Sequence, residues 1–120
     1  MLRKYAKYFG IGFIVIGILG FIPGFTMDNN LLGIFHVNAL HNLIHLVTGV
    51  IAIWASNKSL GAAQKFFQIF GVIYLAVAVL GFAHGDRPIF AMIANNMADS
   101  ILHLVLGALF LYWGFKHKLK

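Results

Sequence analysis

Apolar residues gather into four runs along the chain, divided by short polar stretches. Two of them, 9–25 and 66–83, approach the roughly 20 residues that a helix needs to cross hydrocarbon. The other two, 43–55 and 101–115, are shorter. They reach spanning length only if the polar turns before them, from Asn38 and from Asn96, are helical as well. That requirement carries His41, Asn42, His45, Asp99, Ser100 and His103 to membrane depth, where polar side chains are costly and mark functional positions. The pattern predicts an all-α polytopic membrane protein with four transmembrane helices.

The pattern also occurs twice. Residues 9–21 match 70–82, each opening Phe-Gly and closing Gly-Phe. Further on, Asn38-Ala-Leu-His41-Asn42-Leu-Ile-His45-Leu-Val-Thr-Gly49 matches Asn96-Met-Ala-Asp99-Ser100-Ile-Leu-His103-Leu-Val-Leu-Gly107. The offset falls from 61 to 58 because the second outer loop is three residues shorter. The chain therefore reads as a single transmembrane domain, 1–120, made of repeat units 1–58 and 59–120. Each unit holds a two-helix hairpin, so both insert alike and are related by a pseudo-two-fold axis along the membrane normal. Gly17, Gly20 and Gly24 in the first run, with Gly49 and Gly107, are the expected close contacts between helices.

Composition supports the membrane reading. The chain is 61% hydrophobic and 10% charged, against about 25% charged in soluble domains. A net charge of +6 raises the question of nucleic acid, but the basic residues cap the apolar runs instead of lining one face. Arg3, Lys4, Lys7, Lys58, Lys65, Lys116, Lys118 and Lys120 fall on one side, leaving only Arg87 opposite. The positive-inside rule then places both termini in the cytoplasm. Tyr5, Tyr8, Trp54, Tyr112 and Trp113 form the expected inner aromatic belt. The basic start is read as a retained first helix, because no small-residue cleavage site follows the apolar run. All three acids and five of the six histidines lie in the outer half.

Candidate chemistry follows from that asymmetry. Cysteine is absent, which removes disulfides, thiolate metal sites and cysteine nucleophiles. Asn38 and Asn96 are suitable helix N-caps. His41 and His45 are four residues apart, as are Asp99 and His103, so each pair shares a helix face. Two such pairs can converge on one divalent transition metal such as zinc, copper or iron, with His41, His45, Asp99 and His103 as ligands. Asn38, Asn42, Asn96 and Ser100 are the expected supporting partners around them. Met92 or Met97 nearby would favour copper. Haem held by His45 and His103 is a weaker alternative, with Gly49 and Gly107 making room for the ring.

Against these stands a plain packing network in an accessory subunit, whose partners are the lipid bilayer and either another membrane protein or a second copy of the chain. No catalytic constellation emerges, since Ser100 and His103 on one helix lack an oxyanion hole. His36 and His84 read as solvated loop residues. The outer loops 29–37 and 87–95 are amphipathic and read as lids over the cluster.

The doubled segments His-Asn-Leu-Ile-His-Leu and Asp-Ser-Ile-Leu-His-Leu, each preceded by a Gly-Phe-ended helix, resemble a bacterial four-pass membrane family. That family is known as domain of unknown function forty-three eighty-three. The resemblance spans nearly the whole chain, although Ala39, Met97 and Ser100 depart from the family's commoner pattern. It implies the fold, the topology and a bacterial inner membrane as the location, and no activity.

Overall fold

Proline and glycine set the end of the first helix. In a computed structural model that describes residues 1–116, helix α1 spans Leu2–Leu19, taking in Arg3, Lys4 and Lys7. It stops short of the apolar run's end because Pro23 supplies no N–H and disfavours helical backbone at Ile22, which is extended. A single turn of tighter helix, Pro23–Phe25, follows.

The connection that follows folds as three short antiparallel strands, β1 (Thr26–Met27), β2 (Asn30–Leu31) and β3 (Phe35–His36), in the order β1-β2-β3. Asp28 and Asn29 form the two-residue turn between β1 and β2, both with positive φ, which short polar side chains tolerate. The second outer connection carries only a single bridge between Ile89 and Ile93.

Helix α2 runs Ala39–Lys58, α3 runs Leu60–His84 and α4 runs Met97–Lys116. The polar turns after Asn38 and Asn96 are thus helical, as spanning length demanded. Asn38 caps α2 by accepting from the His41 amide at 2.9 Å, and Asn96 caps α4 by accepting from the Asp99 amide at 2.9 Å. α2 and α3 are joined through Ser59 alone, which ends one helix and caps the next. Three helices, α2, α3 and α4, are long and apolar enough to cross a membrane. Lys118 and Lys120, which contribute to the charge asymmetry, lie outside the described residues.

α1 packs chiefly on α2, and α3 on α4. Both contacts are close enough to require glycine. A Cβ on Gly49 would come within 2.6 Å of the Gly10 carbonyl oxygen, and one on Gly107 within 2.7 Å of the Leu75 amide nitrogen. Gly17 and Gly20 lie against Leu46 and Asn42 in the α1–α2 contact. Gly24 does not join them, because the helix has already ended and its Cβ direction opens on free space. Phe13, Phe66, Phe67, Tyr74 and Phe110 fill the centre of the bundle with edge-on and stacked rings. That aromatic plug lies below the polar residues of α2 and α4 and keeps them at one end.

Candidate metal centre

One turn of α2 separates His41 from His45, and α4 brings His103 to meet them. All three side chains are buried. Ring centroids lie 4.5 Å apart for His41 and His45, 5.7 Å for His41 and His103, and 6.2 Å for His45 and His103. One ring nitrogen from each comes within 4.8 Å of the other two. Moreover, among the described residues His41 Nε2, His45 Nδ1 and His103 Nδ1 have no hydrogen-bond partner. Buried ring nitrogens left unpaired cost roughly 1–3 kcal/mol each, so three in one place call for an explanation. The rings border a cavity of about 70 Å³ shared with Thr48, Phe70 and Tyr74.

His41 is held in a defined tautomer. Its Nδ1 donates to the His36 carbonyl oxygen at 3.1 Å, and a carbonyl can only accept. The neutral ring therefore presents a bare lone pair at Nε2, the form a metal needs. His36 is itself fixed from α4, its amide donating to Asp99 Oδ2 at 3.1 Å. The same oxygen accepts from the Asn96 amide at 3.0 Å, closing a reciprocal cap at the start of α4.

The Asp99 carboxylate is thus engaged by two backbone amides, and it does not join the three imidazoles. A carboxylate three residues into a helix competes for the helix's own free N–H groups, and here that competition wins. Asp99 acts on the histidines indirectly, through the peptide that orients His41.

The two caps also reach across the molecule. Asn38 Nδ2 donates to the Met92 carbonyl and Asn96 Nδ2 to the Ile34 carbonyl, both at 2.9 Å. Each helix start is thereby tied to the other half's loop. The family model described as domain of unknown function DUF4383 matches residues 3–116. The chain belongs to that family. No curated protein and no solved structure matches it.

Around this DUF4383 cluster the remaining polar residues sort differently from their sequence reading. Asn42 and Ser100 follow His41 and Asp99 by one residue, which turns them about 100° around their helices. Asn42 faces Gly20 in the α1–α2 contact, and Ser100 donates to Asn95 Oδ1 or the Asn96 carbonyl, both at 3.2 Å, beside Gly81. Met92 and Met97 are 58% and 45% exposed and do not line the cavity, so they give no bias toward copper.

His36, at the end of β3, and His84, the last residue of α3, are half-buried and hydrogen-bonded. His84 Nδ1 donates to the Leu80 carbonyl at 2.7 Å, and His36 Nδ1 to Asn30 Oδ1 at 3.3 Å. The cavity of about 70 Å³ beside the rings offers a tetrapyrrole no open space, since pockets for ligands of even drug size run to roughly 300–1,000 Å³.

Three residues absent from the sequence reading shape this DUF4383 site. Thr48, one turn below His45, donates to the Ile44 carbonyl at 2.8 Å and meets the Tyr74 hydroxyl at 3.0 Å. Tyr74 in turn packs its ring 5.4 Å from that of His103. Asn95, fully buried, braces the end of α3 by donating to the Gly81 and Gly85 carbonyls at 3.1 and 2.9 Å. Thr48 continues the histidine face of α2, and that spacing was the available signal.

Proposed function

We propose that this protein is an integral membrane protein that binds one divalent transition-metal ion through His41, His45 and His103. The observation that carries this reading is the meeting of three buried imidazoles, each with a ring nitrogen lacking any partner. Metal–imidazole bonds of roughly 2.0–2.1 Å bring tetrahedral ligand nitrogens to about 3.3 Å of one another. Nitrogens already within 4.8 Å close that difference by ring rotation and small helix adjustments. An all-nitrogen set suits zinc, copper or iron and disfavours magnesium or calcium. Three protein ligands leave a fourth position for water or a small exogenous ligand, the arrangement of open metal sites.

The surrounding architecture is read as follows. α1 is a fourth span, since its 18 residues rise about 27 Å and its basic residues sit at the end where long side chains reach the interface. The bundle is a duplicated hairpin with a pseudo-two-fold axis along the membrane normal. Equivalent contacts recur at the repeat offset: the crossed Asn38 and Asn96 ties, and Lys58 over Trp54 and Lys116 over Tyr112, both at 4.9 Å. The distribution of basic residues supports cytoplasmic termini in a bacterial inner membrane, which puts the histidine cluster toward the outer face.

The test is metal analysis by mass spectrometry on untagged protein purified in detergent without chelators. Wild type is expected to carry, or to take up from added zinc, close to one ion per chain. His45→Ala/His103→Ala is expected to carry none while keeping its helical circular dichroism. Wild-type protein that stays metal-free after loading with zinc, copper and iron would refute the reading and leave the cluster a packing network.

A further inference from the structure

The end of the bundle opposite the histidines carries a site of different chemistry. From the Ser59 junction, α2 and α3 diverge and enclose a groove of about 560 Å³. Phe66, Ile69 and Phe70 line its apolar length, while Trp54, Lys58 and Lys65 stand at the helix ends. Lys58 lies over the Trp54 ring with its ammonium 4.9 Å from the centroid. All three acidic side chains, Asp28, Asp86 and Asp99, sit at the other end, so no Asp or Glu side chain among the described residues faces the two lysines.

The start of α3 adds to the positive field. Ser59 Oγ takes the Ala62 amide at 3.0 Å and the Ser59 carbonyl takes the Ala63 amide at 3.1 Å. The Leu60 and Gly61 amides remain as first-turn donors, and Gly61 is part of the groove wall.

We propose that this groove binds an anionic phospholipid. Lys58, Lys65 and the free amides of α3 take the phosphate, and an acyl chain lies along Phe66, Ile69 and Phe70. Charge complementarity selects this occupant, because an apolar partner helix would leave two ammonium groups and a helix N-terminus unmatched. Basic pockets between membrane helices recognise lipid headgroups by this combination. The inference is independent of the metal reading.

Native mass spectrometry of the full chain tests it, with the protein released from detergent containing equal phosphatidylglycerol and phosphatidylcholine. Phosphatidylglycerol is expected to be retained in preference. Lys58→Gln/Lys65→Gln should weaken it about 25-fold, from about fivefold per lysine. Lys4→Gln/Lys7→Gln, equally basic but outside the groove, should change it less than about twofold. Glycerol 3-phosphate at equal concentration should not displace the lipid. Equal retention of the two lipids, or an equal loss in both lysine pairs, would overturn the proposal. Displacement by glycerol 3-phosphate would do the same and make this a free-phosphate site.

Discussion

Replacing Asp99 by asparagine and by alanine separates two roles for its carboxylate: metal ligand or clamp on the backbone. In the structure Oδ2 accepts from the His36 and Asn96 amides at 3.1 and 3.0 Å. Hydrogen bonds to a charged group contribute roughly 1.5–3 kcal/mol each and neutral ones roughly 0.5–1.5 kcal/mol. Asp99→Asn keeps an acceptor oxygen and should lower stability by about 2 kcal/mol, whereas Asp99→Ala loses both bonds and should lower it by roughly 3–6 kcal/mol.

The effect on metal binding follows from the chain Asp99 to His36 to His41. Partners that orient a ligand change metal affinity by roughly 10–100-fold, and removing a ligand does far more. Asp99→Asn is expected within about tenfold of wild type and Asp99→Ala about 10–100-fold weaker, while His45→Ala binds no ion. Competition against a chromophoric zinc chelator in detergent reads the affinities, and thermal unfolding followed by circular dichroism reads the stabilities. If Asp99→Asn loses zinc as completely as His45→Ala while unfolding near the wild-type midpoint, the carboxylate is a ligand and the clamp argument fails.

Three further outcomes are expected. Gly49→Ala places a methyl group 2.6 Å from the Gly10 carbonyl oxygen and 3.0 Å from the Ile14 amide nitrogen, neither of which can swing aside. It should destabilise by roughly 1–3 kcal/mol in thermal unfolding, and equal midpoints for Gly49→Ala and Gly12→Ala, whose Cβ direction is open, would contradict the close-contact account. Metal occupancy should fall reversibly on acidification, because protons and the ion compete for the same imidazole lone pairs; occupancy that stays flat down to about pH 3, with helical circular dichroism intact, argues against histidine ligation. Tyr74→Phe removes the hydroxyl that meets Thr48 at 3.0 Å and should lower stability by about 1 kcal/mol with the ion retained. Loss of the ion in that variant would make Tyr74 a ligand.

The helices were legible because run length and asparagine caps are local signals that the bilayer enforces strongly. Asn38 and Asn96 cap where their positions indicated, and the polar turns after them are helical. The pairing of His41 with His45 was equally legible, since i, i+4 spacing defines a helix face. What spacing could not tell was which group on α4 would turn toward them. Asp99 and His103 share a face, but the carboxylate had a nearer partner in the helix's own amides. The role of His36 was hidden because it acts through main-chain atoms, which carry no residue code. Two-residue strands are too short to show alternation, so residues 26–36 read only as an amphipathic loop.

The crossed amide ties also bear on how the protein is made. Asn38 finds its carbonyl on Met92, and Asn96 finds its own on Ile34, so neither helix pair can finish this end of the bundle from its own residues. During synthesis α1 and α2 emerge several seconds before α4, at about 5–20 residues per second. Throughout that interval His41 and His45 stand without His103, and the peptide that aims His41 stands without Asp99. The cluster is therefore a late product of biogenesis. A chain truncated before α4 carries two of the three histidines, so on the metal reading completed molecules and fragments are expected to differ in their hold on an ion.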